Sequence, residues 1–177
     1  MIDPASSETI GFHLFFEPTG ALTQELSDII KNLAAKYGGP VFAPHVTLLA
    51  RIEGDEKEII EKSHMLAGKL SPLMLTLGEL DAKDAYFKAL YIQIKNGEDI
   101  KKYHSQANEV FSIQDESEYV PHLSLLYGNY EKERKETTMK NLAIPQGESF
   151  LVDRMHLYRT EGATENWQKI QDFALGI

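Results

Sequence analysis

Residues 44–49 read PHVTLL and residues 121–126 read PHLSLL. The same six-residue pattern occurs twice, with a histidine and a hydroxyl two places apart each time. Side chains on a strand alternate between faces, so two residues is the shortest step that returns to one face. In the first copy His45 and Thr47 share a face, while Val46 and Leu48 point the other way. In the second, His122 and Ser124 share a face with Leu123 and Leu125 behind them. Pro44 and Pro121 fall at the strand starts, where proline is tolerated.

The surroundings repeat with the pattern. IGFHLFFE, residues 10–17, reads as a buried strand stopped by Pro18-Thr19-Gly20. Leu22, Leu26, Ile29, Ile30, Leu33 and Ala34 fall at helical spacing, which predicts a helix over 21–37 ended by Gly38-Gly39-Pro40. The first pattern strand spans about 41–51 and a helix follows at 55–70. Strands are expected at 73–80 and 86–94, with 81–84 as a turn. The order then recurs: helix 98–111, pattern strand 120–128, charged helix 130–142, strand 150–160, and strand 167–174 after a loop at 161–166.

Seventy-seven residues separate the two histidines (122 − 45), and the same shift carries the strand at 73–80 onto 150–157. Two interleaved halves are therefore expected, roughly 10–85 and 86–174, within one two-lobed domain spanning 1–177. The implied fold class is α+β: a bilobal, pseudo-twofold duplication. Two antiparallel sheets would face a central cleft, with helices packed outside.

Composition narrows the partners. The chain has 177 residues, 27 acidic against 18 basic, and a net charge of −9. Long RNA or DNA is gripped by basic surfaces, so this balance argues against long nucleic acid as a partner. No cysteine is present, which removes disulfides, thiolate metal ligands and a cysteine nucleophile and fits a reducing cytoplasm. The opening MIDPASSETIGF lacks the features of a signal peptide, and no apolar run reaches membrane-spanning length. A cytoplasmic monomer acting on a small molecule, with no cofactor, is expected.

If a pseudo-twofold axis relates the halves, His45 and His122 face each other across one cleft. Histidine exchanges its proton near neutral pH. A neutral imidazole can take a proton from water while a protonated one gives a proton to a leaving oxygen. Thr47 and Ser124 can donate hydrogen bonds to the oxygens that do not react. Attacking and leaving oxygens lie on opposite sides of phosphorus in an in-line displacement, which suits acid and base groups on opposite walls. No residue cluster suggests a metal site. A lone His-x-Thr is most often an ordinary half-buried strand. Two copies, each following proline at matching places in a repeated architecture, outweigh that reading.

The paired motifs His45-Val46-Thr47 and His122-Leu123-Ser124 resemble those of the two-histidine phosphoesterase superfamily. PVFAPHVTLL, VPHLSLLYG and the opening IGFHLFFEP are most similar to its cyclic phosphodiesterase branch. The resemblance covers essentially the whole chain. It implies a water-filled cleft and metal-independent hydrolysis of nucleoside 2′,3′-cyclic phosphates, or of ADP-ribose 1″,2″-cyclic phosphate, to monophosphates. It implies His45 and His122 as the acid/base pair, Thr47 and Ser124 as phosphate-binding residues, and Tyr127 as a substrate-binding aromatic. Regular alternation turns Tyr127 away from His122, so a bulge or strand end near Gly128 is required. By analogy His45 is the base and His122 the acid. Pro44 and Pro121 stand where the RNA-ligase-like branch often carries arginine, which favours small cyclic nucleotides. A nucleotide-binding sensor without turnover and an enzyme of cyclic-phosphate RNA ends are the alternatives, the latter helped by a basic patch of Arg51, Arg154 and Arg159.

The remaining histidines read as ordinary. His13 is expected to be a satisfied strand residue, and His64 and His104 solvated helix residues. His156 shares a strand face with Arg154 and Tyr158. Phe42, Tyr119, Phe87 and Trp167 could stack on a base, with core packing the better expectation for each. The acidic run 115–118 is expected to be a solvated loop.

Overall fold

A computed structural model describes residues 6–114 and 118–176. Eight strands and four helices follow the expected order: β1 (Phe12–Phe16), α1 (Ala21–Tyr37), β2 (Val46–Ile52), α2 (Glu56–Lys69), β3 (Leu73–Asp81), β4 (Leu90–Lys95), α3 (Glu98–Phe111), β5 (His122–Leu126), α4 (Lys132–Asn141), β6 (Ser149–Val152), β7 (Arg154–Arg159) and β8 (Gln168–Ala174). The α+β class is borne out. The acidic run lies mostly outside the described residues, at positions 115–117.

Local chemistry sets the helix limits. Gly38 ends α1 in the left-handed conformation, its N–H donating to the Ala34 carbonyl at 2.8 Å. Asp55 caps α2 by accepting from the backbone N–H groups of Lys57 and Glu58. The strands deviate more. Residues 41–45 are unpaired, so β2 begins one residue after His45. Residues 86–88 form a 3-10 turn rather than the start of β4. The strand expected at 150–160 breaks at Asp153, because β6 pairs with β3 while β7 pairs with β1.

Instead of two separate sheets, the ladders join all strands in one antiparallel sheet of order β6-β3-β4-β5-β2-β1-β7-β8. The centre is its weakest seam: β2 and β5 meet at the single pair Val46↔Leu123. Four strands lie on each side of it. A single residue joins β6, at one edge, to β7, next to the other edge. Such a link is possible only if the sheet curls, bringing its edges towards one another.

One sheet face is apolar. Val46, Leu48, Leu123 and Leu125 are fully buried, and α1 packs over β5 while α3 packs over β2. The helices thus cross to the opposite side of the seam. The polar members of both motifs are left for the inner face.

Candidate active site

The seam itself juxtaposes the two motifs. With Val46 opposite Leu123 in an antiparallel pair, local register sets His45 across from Ser124 and Thr47 across from His122. The histidines are then diagonal neighbours, about 7–8 Å apart by standard sheet geometry, their Cβ atoms somewhat closer. That leaves a phosphate-sized gap. All four side chains line one cleft of about 320 Å³.

Both rings are held in the same way. His45 Nδ1 lies 2.7 Å from the Ala43 carbonyl, and His122 Nδ1 lies 2.8 Å from the Val120 carbonyl. A carbonyl only accepts, so each Nδ1 carries a proton and donates it. Each neutral ring therefore turns a bare Nε2 to the cleft. The free carbonyl of residue 43 exists because the chain before His45 is unpaired. Phe15 of β1 stacks on His45 with centroids 3.9 Å apart, and Tyr91 packs edge-on against His122 at 5.2 Å.

Tyr127 also reaches the cleft. β5 ends at Leu126, and Gly128 adopts φ +143°, where a Cβ would lie 2.5 Å from the Tyr130 ring. This strand end turns Tyr127 inward, its hydroxyl 3.5 Å from His45 Nε2 and its ring stacked on Phe42 at 3.8 Å. The Ser124 hydroxyl donates to the Phe87 carbonyl at 2.8 Å. Tyr119 donates to the Thr47 carbonyl at 2.7 Å and stacks flat on His104, with centroids 4.0 Å apart. His104 Nδ1 in turn bonds the Leu48 carbonyl. His104 is thus a buttress of the Thr47 strand, contrary to its expected solvated role. His64 is exposed as expected.

Burial dominates the electrostatics. It pushes His45 below the ordinary histidine value, although the Ala43 carbonyl and Glu17 pull the other way. Burial, and then Lys88, take His122 down to about 4. Lys88 is itself lowered by burial and by Lys83. Lys88 and Arg51 both line the cleft, offering positive charge to an anion. Arg154 and Arg159 are engaged with Asp153 and Glu56. Among the described residues no group of three or more His, Cys, Asp or Glu is arranged to hold a metal ion.

Three contributions to the site escaped the sequence reading. Phe15, Lys88 and the carbonyls of Ala43 and Val120 carry no motif. The shared face of His13, Phe15 and Glu17 on the first strand was the available signal. His13 lines the cleft with its Nε2 buried and unpartnered among the described residues, so it is not the satisfied residue expected. His156 is buried between Asp172, 2.7 Å from its Nδ1, and Glu17.

Two histidines lining one cleft, each followed at the second position by a hydroxyl residue and set across the central seam, mark a two-histidine phosphoesterase. The family described as cyclic phosphodiesterase-like protein matches residues 10–175. The chain belongs to that family, within the cyclic phosphodiesterase branch of the superfamily, and is a phosphodiesterase enzyme. It is 24% identical to the cyclic phosphodiesterase of Arabidopsis thaliana over 152 residues, 80% of this chain and 82% of the plant protein. It is 26% identical to a putative phosphoesterase of Bacillus anthracis over 163 residues, 85% of this chain and 91% of the bacterial one. The fold matches that of E. coli LigT complexed with 3′-AMP, at a TM-score of 0.62 and 18% identity, covering 96% of this chain and 99% of LigT.

Proposed function

We propose that this protein hydrolyses small cyclic phosphodiesters, nucleoside 2′,3′-cyclic phosphates or ADP-ribose 1″,2″-cyclic phosphate, to phosphomonoesters. The observation that carries the reading is the mirrored pair of Nε2 atoms, each fixed through its Nδ1–H to a backbone carbonyl. A binding module needs donors for a phosphate, but it has no use for two bare imidazole nitrogens facing one cleft from adjoining strands. The 3′-AMP held by LigT is the type of product that ring opening at the 2′ oxygen leaves. With Arg154 and Arg159 tied to carboxylates, the basic patch needed for RNA ends is reduced to Arg51.

In this scheme the phosphate sits between the histidines, with Thr47 and Ser124 donating to its non-reacting oxygens. For Ser124 this means turning its proton from the Phe87 carbonyl. A neutral Nε2 takes a proton from water as the water oxygen bonds to phosphorus. The ring P–O bond breaks, and the other, protonated histidine gives its proton to the departing oxygen. One histidine ends protonated and the other neutral, and exchange with solvent resets them. Lys88 beside His122 opposes a proton there, while Glu17 favours one on His45. Burial is the largest cause at both rings and acts on them alike, so these charges do not by themselves divide the acid and base roles.

The test is a panel of small cyclic phosphates with products located by phosphorus NMR. Turnover is expected without added metal, undiminished by a chelator, since both protons move through imidazole. Failure to open any cyclic phosphate would sink the reading.

The pH profile adds a second expectation. The base must be neutral and the acid protonated, so the kcat/KM optimum of the free enzyme lies between their two pKa values, whichever is higher. Both are lowered, so that optimum is expected below the ordinary histidine value of 6.5. A bound anionic phosphate favours imidazolium, so kcat itself should peak at higher pH. A kcat/KM optimum well above 6.5 would contradict the buried pair.

A further inference from the structure

The cleft extends past the histidine pair along β1 to a part that the acid/base scheme does not use. His13 is 6% exposed and lines this extension together with Trp167. The two rings are 6.2 Å apart between centroids. His13 Nε2 and Trp167 Nε1 are both buried and have no hydrogen-bond partner among the described residues. A buried unsatisfied polar group costs about 1–3 kcal/mol. Native proteins rarely keep two side by side unless something else bonds them. Aromatic faces surround the pair: Phe15 packs at 5.7 Å from His13 and 6.0 Å from Trp167, and Phe87 is stacked at 6.2 Å from Trp167.

We infer that His13 and Trp167 form a nucleobase-edge subsite, in which their orphan ring nitrogens hydrogen-bond the base of the bound nucleotide. Resting on the hydrolase reading above, it assigns the part of the substrate that does not react. The Trp167 N–H demands an acceptor. His13 is held neutral by burial, with a pKa lowered to about 3, so it presents one lone pair or one N–H rather than a charge. An adjacent acceptor and donor is what a base edge offers. Flat aromatic neighbours suit a planar base, whose π face stacks at little cost in specificity. Positive charge in the cleft lies on Lys88, beside His122, and on Arg51, which also acts on His13. The uncharged ring nitrogens and their aromatic neighbours are what suit a base. Neither nitrogen touches bulk solvent, so one ring must turn to admit the base. Trp167 is the candidate, because it is half-exposed and directly follows a short 3-10 turn, Thr164–Asn166.

Trp167 is the sole tryptophan in the chain, so intrinsic fluorescence reports this subsite directly. The experiment titrates the protein with each nucleoside 3′-monophosphate and with the base-free sugar phosphate, and repeats both for His13→Leu. Nucleotides should change Trp167 fluorescence and the base-free compound should not. For the base that fits best, the ratio of nucleotide to sugar-phosphate affinity should fall about tenfold in His13→Leu. The melting temperature should hold or rise, since an orphan nitrogen is removed. Equal fluorescence responses to both ligands would overturn the assignment. So would an unchanged affinity ratio, or a drop in melting temperature with equal losses on both ligands. Because the readout is binding, failure of hydrolysis and failure of this subsite are distinguishable.

Discussion

Replacing either histidine is expected to cost about 10²–10⁴ in kcat, the usual contribution of a positioned general acid or base. His45→Ala removes the ring whose Nε2 faces the cleft on the β2 side, and His122→Ala its counterpart on β5. Each variant keeps one proton carrier where two are needed. The double variant should lose little more than the worse single one, because groups that act as a unit are not additive. Far-ultraviolet circular dichroism should show both folds intact, since the backbone carbonyls of Ala43 and Val120 lie near solvent that can replace the lost donor. Measured turnover of a cyclic phosphate decides it: near-normal activity in either variant is incompatible with shared acid/base work.

The largest effect on stability is expected at Phe15, which carries no polar atom. It is 2% exposed and stacks on His45 at 3.9 Å, with Tyr158 at 5.0 Å and Trp167 at 6.0 Å. Phe15→Ala should cost about 3–5 kcal/mol through lost burial and the cavity left behind, read by denaturant unfolding. Activity should fall as well, measured where the variant is still folded. Without the ring His45 can tilt about its Nδ1 bond, and small misplacements of a reacting group cost up to about a hundredfold. Phe15→Leu separates the two roles. It refills much of the volume but offers no flat face, so stability should largely return while kcat stays low. Full recovery of both would make Phe15 a space-filler only.

The helices were legible because their limits are chemical: Gly38 and Asp55 act within one turn of the ends they define. The site was legible for a related reason, since a two-residue step and a 77-residue offset (122 − 45) are properties of the chain itself. The strand ends were not. Whether residue 43 pairs or lends its carbonyl to His45 depends on what lies beside it, and the neighbour is β5, far along the chain. The break at Asp153 is hidden for the same reason, because the apolar pattern runs on through it while the pairing partners change. A single seam pair decides between two sheets and one, and no local pattern encodes it. His13 and His104 were misjudged because alternation assigns a face but not what that face meets.

The Asp153 junction has a consequence for how the chain reaches its fold. β3 pairs with β4 and β4 with β5 in chain order, but β3 must wait for β6 and β1 for β7. The Thr160 hydroxyl that bonds the Gly11 carbonyl is 149 positions away. Loops of that length close slowly, and topologies rich in them fold slowly. During synthesis β1 and β2 emerge long before β7 and β8 and spend that time with unsatisfied edges. Such edges are targets for wrong pairing and for chaperones. The cleft wall holding Phe15 and His45 is therefore finished late, and catalytic competence should appear as the final event of refolding rather than with the first helix signal.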